Sequence, residues 1–292
     1  MPQTIDDCRP GTVPLLIFGC GYVGLRVAQA WQGYGWPVYA LTRSRAAVLA
    51  AQGIVPLVGD VLQAESLPPL PPDVAVLYAI GYDRTHPASM HAVYVDGLAH
   101  VLDRLASPCR FVYVSSTSVY GQTDGSWVDE DSPTEPLEES GRIVRAAEQL
   151  LQQRLPQAVI VRSGGIYGPQ RLLRRRQQLL AGEPLTGDPE RWLNLVHVDD
   201  LVAALLLVLD QSPPGQIYNA VDDQPVSRRQ FYTLLAQLYG GPAPHFATSS
   251  AESLAPHRRV ANRRLKQLGW RPRYPTIYTG LPAAVAASET PP

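Results

Sequence analysis

The stretch Val13-Pro-Leu-Leu-Ile-Phe-Gly-Cys-Gly-Tyr-Val-Gly24 joins an unbroken apolar run to a turn with glycine at positions 19, 21 and 24. A short apolar run without polar alternation predicts a strand buried on both faces. Leu25 to Trp36 then reads as a helix. In such a turn Gly19 permits the tight bend, Gly21 lets backbone approach a pyrophosphate, and Gly24 allows close helix–strand contact. The helix would aim its free N–H groups and positive dipole end at the phosphates. Strand before, helix after and a βαβ run beyond make this a dinucleotide-binding turn, with Gly19, Gly21, Tyr22, Val23 and Gly24 against the cofactor. The plainer alternative is a structural glycine turn, or another nucleotide-like ligand on the same frame.

Working outward, Pro37–Leu41 is a second strand, Ala46–Gln52 a helix-like segment and Gly53–Val58 a third strand. Asp73–Ala79 is a fourth strand, followed by a helix over about His86–Ala106. Arg110–Val114 is a fifth, Glu138–Arg154 is helical, and Ala158–Val161 is a sixth. Strands alternating with helices pair in parallel through right-handed crossovers. The expected fold is α/β: a doubly wound parallel (Rossmann) sheet of six or seven strands with a smaller, mainly C-terminal substrate lobe. Residues 13–165 should form the dinucleotide-binding domain, with 192–221 returning to it. Residues 166–191 and 222–285 should form the substrate lobe, and 1–12 and 286–292 flexible tails.

Composition narrows the function classes. The 292 residues carry 25 Lys plus Arg against 26 Asp plus Glu, a balance that excludes a broad electrostatic grip on nucleic acid or anionic lipid. With 45% apolar and 17% charged residues the chain can bury a sizeable core. The longest apolar stretch, Leu201–Leu209, is under half of what a bilayer crossing needs. Residues 1–12, with Asp6, Asp7 and two prolines, fit neither a signal nor a transit peptide. Cys8, Cys20 and Cys109 lack metal-type spacing, so no metal is expected, and the setting reads as cytoplasmic and reducing. Lys266 is the only lysine.

The residue ending the second strand selects the nicotinamide cofactor. An NAD site places Asp or Glu there for the ribose 2′-hydroxyl. This chain has Thr42, then Arg43 and Arg45; a guanidinium binds a 2′-phosphate that a carboxylate would repel. NADP is therefore favoured, with NAD still open, as is the reading of both arginines as solvated charges. Asp60, ending the third strand, is a candidate for the adenine amine. Val61, Ala79, Ile80, Gly81 and Ser115, at or after strand ends, complete the expected cofactor lining.

With Ser115-Ser-Thr-Ser-Val-Tyr-Gly121 added to the glycine turn, the chain resembles the extended or atypical short-chain dehydrogenase/reductases, the NAD-dependent epimerase/dehydratase-like proteins. Arg162–Pro169, Leu193–Asp200 and Val260–Trp270 extend the resemblance over about residues 13–285. In detail it looks most like a bacterial branch with Ser-Gly-Arg in place of the family's tyrosine motif. The resemblance implies an oxidoreductase or nucleotide-sugar epimerase/dehydratase, a small-molecule substrate that is phosphorylated or nucleotide-linked, and a homodimer. It maps the Ser/Thr that binds the substrate oxygen onto Ser116.

The family's Tyr-x-x-x-Lys falls on Ser140 and Val144. A serine hydroxyl is too weak an acid to act alone near neutral pH, so Ser140 marks the position without its chemistry. Val144 offers no charge and no hydrogen bond. Tyr94, where the family often has an asparagine, is the first candidate replacement donor; Tyr82, His86 and Tyr120 follow. For each, a core or structural role is the favoured reading, because tyrosines and histidines are often satisfied core residues. Arg171 and Arg174–Arg176 could meet a phosphorylated substrate or form a solvated helix face. Two readings stay open: an enzyme moving hydride at a carbonyl or alcohol, or a non-catalytic NADP-binding sensor or regulatory protein.

Overall fold

The computed structural model describes residues 13–106, 108–247 and 255–289. Seven strands form one parallel sheet: β1 (Leu15–Phe18), β2 (Val38–Thr42), β3 (Val55–Val58), β4 (Ala75–Tyr78), β5 (Arg110–Ser116), β6 (Val159–Ser163) and β7 (Ile217–Ala220). Their order is β7-β6-β5-β4-β1-β2-β3. The chain thus winds outward from β1 in one direction and from β4 in the other, and the crevice for a ligand opens where the winding reverses. Leu15 stands opposite Val38 of β2 and Ala75 of β4, and the register continues to Phe18 opposite Leu41 and Tyr78.

Every residue of β1 and of β4 is buried, which is why both read as unbroken apolar runs. β3 differs. It starts two residues later than its apolar pattern suggests and exposes Val55 and Val58. It is an edge strand paired only with β2, which is where Pro56 can sit without removing a ladder bond the sheet depends on.

The helices are α1 (Gly24–Gln32), α2 (Ala46–Ala50), α3 (Gly97–Arg104), α4 (Glu139–Arg154), α5 (Leu173–Leu180), α6 (Val198–Gln211), α7 (Arg228–Tyr239), α8 (Arg263–Gln267) and α9 (Ile277–Glu289). The helix expected over His86–Ala106 starts later. Pro87 biases His86 away from helical backbone, Asp83 closes a turn onto the Thr85 N–H, and the Ser89 hydroxyl accepts the Ala92 N–H. A π-helical turn, Ala92–Asp96, precedes α3. α7 begins with a reciprocal Ser227/Gln230 capping box and stops at Gly240, which is left-handed at φ 68°.

Two compact units result, each with its own core. The first takes residues 13–106, 108–119, 138–162 and 202–218 and is built around Leu16, Phe18, Val76, Tyr78, Phe111 and Leu151. The second takes 120–137, 163–201, 219–247 and 255–289 and is built around Tyr167, Leu185, Phe231, Leu235, Ile277 and Leu281. No helix among the described residues is long and apolar enough to cross a membrane.

Candidate functional site

The turn between β1 and α1 is shaped by what its glycines exclude. Gly19 has φ 91°, and a Cβ on it would lie 2.5 Å from the carbonyl carbon and oxygen of Ala79 and 2.6 Å from the Ile80 nitrogen. Gly24 is pinned similarly: a Cβ there would collide with the Gly19 carbonyl oxygen. Gly21 and Gly81 are different, because nothing lies within 4 Å of a Cβ placed on either. Two glycines therefore let chain segments touch, and two leave bare backbone facing open space. α1 has no side-chain cap and no carboxylate in its first turn, so its positive end is not neutralised from within. Open backbone beside an uncapped helix start fits the pyrophosphate of a dinucleotide.

Arg26 donates to the Tyr22 carbonyl at 2.7 Å and lies over its ring at 4.2 Å. Cys20 is buried, which pushes its thiol up to about 11 against the pull of Arg45. At the end of β2 the Thr42 hydroxyl accepts the Arg45 N–H at 3.0 Å. The Arg45 guanidinium reaches back to the Cys20 carbonyl at 3.3 Å, which puts a cation on the glycine turn itself. Arg43 is exposed beside it. Asp60 accepts the Leu62 N–H at 3.0 Å through Oδ1. Buried Val61 accepts from or donates to nothing by its side chain; its carbonyl lies 2.8 Å from His100 Nδ1. Ala79 donates its N–H to the Phe18 carbonyl at 2.7 Å, locking the end of β4 to β1.

The serines after β5 divide in two. Ser115 donates to Glu148 Oε1 at 2.6 Å, and Arg162 grips the same carboxylate through Nε at 2.9 Å and Nη2 at 2.8 Å. All three residues are buried, so Ser115 belongs to a closed ion-pair network. Ser116 instead accepts the Ser118 N–H at 3.1 Å and is half-buried. On α4, Ser140 is half-buried and Val144, one turn on, is 5% exposed. The face that would carry a tyrosine and a lysine carries a small hydroxyl and an apolar side chain. Tyr94, on the π-turn, accepts the Tyr82 N–H at 3.0 Å through its hydroxyl oxygen.

Other candidates take structural partners. His86 Nδ1 accepts the Ala88 N–H at 3.2 Å. In the second unit Tyr120 donates to Asn219 Oδ1 at 2.9 Å. Arg175 and Arg176 lie over the rings of Tyr232 and Tyr239, at 5.6 and 5.5 Å, as packing arginines do. The Asp200 carboxylate accepts the N–H groups of Arg273 and Tyr274 at 2.6 and 2.9 Å. No cluster of three or more His, Cys, Asp or Glu able to hold a metal ion occurs among the described residues.

Three features were not anticipated from sequence. The Ser115–Glu148–Arg162 network is one, although an arginine inside Val159-Ile-Val-Arg-Ser163 is the kind of residue that demands a buried partner. The second is Asp222, buried in the second unit with Tyr167 donating to it at 3.2 Å. Burial, with Asp200 adding to it, raises its carboxyl to about 8. The third is a cleft of about 400 Å³ in that unit, lined by Glu190, Trp192, Ser227, Arg229, Gln230 and His257.

The model of the NAD dependent epimerase/dehydratase family matches residues 15–220. A protein of Escherichia coli K12, YeeZ, is 29% identical over 272 residues, 89% of this chain and 95% of its own length. Among solved structures, a functionally unknown conserved protein from Silicibacter pomeroyi is 28% identical with a TM-score of 0.75, covering 96% of this chain and 100% of that one. The dTDP-glucose 4,6-dehydratase of Bacillus anthracis, solved in complex with NAD, shares the fold at a TM-score of 0.77 and 18% identity, over 95% and 96% of the two chains. A reversing parallel sheet, a glycine turn open at Gly21 and a family match from β1 to β7 lead to one assignment: this chain belongs to the NAD-dependent epimerase/dehydratase family, as an NAD(P)-binding protein of the short-chain dehydrogenase/reductase type.

Proposed function

We propose that the protein is an NADP-preferring oxidoreductase or epimerase-like enzyme acting on a phosphorylated or nucleotide-linked substrate. The observation that carries this reading is the bare backbone at Gly21 and Gly81 beside the uncapped start of α1. Gly19, Gly21, Tyr22, Val23 and Gly24 would hold the pyrophosphate, and Thr42, Arg43 and Arg45 the 2′-phosphate. Asp60 and Val61 would meet the adenine, and Ala79, Ile80 and Gly81 the ribose and nicotinamide side. Ser115 supports this wall through its network, while Ser116, whose hydroxyl proton is uncommitted to a described acceptor, would bind the substrate oxygen. When bound, the nicotinamide supplies or accepts the hydride.

The charge at the end of β2 supports the NADP preference. No Asp or Glu occurs in Thr42–Arg45; Arg45 is already anchored on the turn, while Arg43 is exposed and Asp83 is the carboxylate that senses it. The test is calorimetric titration with NADP and NAD. NADP should bind more tightly, and Arg43→Ala should weaken it by about 1–3 kcal/mol by removing a charge-assisted bond, with NAD affinity unchanged. Tighter binding of NAD would overturn the preference. The other reading, a sensor without turnover, draws support from Val144 and Ser140. It predicts tight NADP binding with no nicotinamide oxidation or reduction by any added carbonyl or alcohol.

A further inference from the structure

We propose that Tyr94 moves the proton at this site, in place of a tyrosine–lysine pair on α4. The inference rests on the cofactor reading above and adds to it the group that completes the chemistry.

Position comes first. The Tyr94 hydroxyl oxygen is held by the backbone N–H of Tyr82, the residue after Gly81. The segment leading into it, Ala79–Ile80, is the backbone that Gly19 packs against. The phenol is therefore tethered to the loop at the carboxyl end of β4, beside the strand where the sheet's winding reverses. Tyr94 rides on a π-helical turn, a wide turn that is uncommon in proteins and often found at functional sites.

The polarity of that hydrogen bond matters. The N–H donates into the phenol oxygen, so the single phenolic proton stays available for transfer. After the proton leaves, the same N–H faces the oxygen that has become negative. The charged group nearest this cluster is buried Glu148, which acts on Tyr113 and is itself held by Arg162; the tyrosines add no charge of their own. Tyr78 and Tyr113 stack with ring centroids 5.6 Å apart, and both sense Tyr94 electrostatically. Burial holds both hydroxyls far above the ordinary tyrosine range, so they remain neutral phenols. The Tyr78 hydroxyl has no hydrogen-bond partner among the described residues.

The alternatives are poorer. Ser115 has its proton on Glu148, and Ser116 and Ser140 are aliphatic alcohols. His86 accepts a backbone N–H within an exposed turn, and Tyr120 donates to Asn219. In the reducing direction, hydride delivered by a bound reduced coenzyme would add to the carbonyl carbon and place the C=O π pair on oxygen. That oxygen takes the Tyr94 proton: the phenol O–H breaks, an alcohol O–H forms, and the phenolate regains a proton from water. Oxidation runs the same transfers backward.

The oxidised nicotinamide carries a positive charge that the reduced form lacks, which gives a test needing no substrate. Tyrosinate absorbance is followed against pH for the protein alone, with NADP⁺ and with NADPH, while calorimetry records binding. NADP⁺, and not NADPH, should bring the first tyrosinate to lower pH by about one unit, as a nearby opposite charge does. Tyr94→Phe, which removes only an oxygen, should abolish that shift while keeping NADP⁺ affinity within about threefold. If NADP⁺ binds and no tyrosine responds, or if the shift survives in Tyr94→Phe, the assignment is overturned and the cofactor reading stands. If neither coenzyme binds, the cofactor reading falls and this assignment with it.

Discussion

Gly19 and Gly21 sit two residues apart and face opposite tests. At Gly19 a methyl group would drive into the Ala79–Ile80 backbone at a φ that L-residues avoid. Gly19→Ala should cost about 1–3 kcal/mol of stability or more, since neither the turn nor the β4 end can yield cheaply. At Gly21 the methyl would meet nothing of the protein. Gly21→Ala should leave the melting temperature nearly unchanged and weaken NADP binding at least about tenfold by filling the phosphate's approach. Thermal melting and calorimetry on the two variants separate a structural glycine from a ligand-facing one. These residues were legible in the sequence because backbone geometry of this kind dictates residue type directly. Tyr94 was legible only as a position. That the Tyr82 N–H holds its oxygen depends on how a loop closes over a helix twelve residues on, which spacing alone does not encode.

At the scale of elements, α4 and β6 are joined by Glu148 and Arg162, both buried, with Ser115 of β5 as a third partner. A carboxylate held this way tolerates loss of its partner badly. Arg162→Met should destabilise the first unit by about 2–4 kcal/mol, because buried Glu148 would keep only the Ser115 hydroxyl and the longer 3.6 Å contact to Arg145. Adding Glu148→Gln to that variant should recover part of the loss, and chemical denaturation of the single and double variants measures the difference. The network also accounts for Ser115, which sequence placed on the cofactor wall and which the structure ties inward. The strands themselves were readable because burial on both faces forbids polar alternation, as in β1 and β4. The helix after β4 was misplaced at its start because its boundary is set by side-chain turns at Asp83 and Ser89, which the apolar period does not register.

For the whole molecule, net charge is nearly balanced at −1, and the acids that folding shifts upward are buried ones. The Asp222 carboxyl, raised to about 8 by burial despite the Tyr167 hydrogen bond, is the foremost; Asp200 and Glu130 are raised in the same direction by burial. An acid that holds its proton more tightly folded than unfolded contributes fully below its unfolded value, near 4, and that contribution is lost as pH rises to its folded value. Stability should fall from about pH 4 to about pH 8 and level off beyond. Asp222→Asn keeps an acceptor for Tyr167 without the charge, so it should flatten most of this decline. Denaturant midpoints at about pH 5 and about pH 9 give the comparison, and an equally steep decline in the variant would place its origin elsewhere.

Lys266, on α8, holds Asp223 with 2.9 Å contacts to both carboxylate oxygens and is about a third exposed. Because no other lysine exists, an amine-reactive dye has a single side-chain target in the second unit. Its labelling rate would report how often that ion pair opens. A fluorophore placed there would supply a distance marker for following the protein as coenzyme is added.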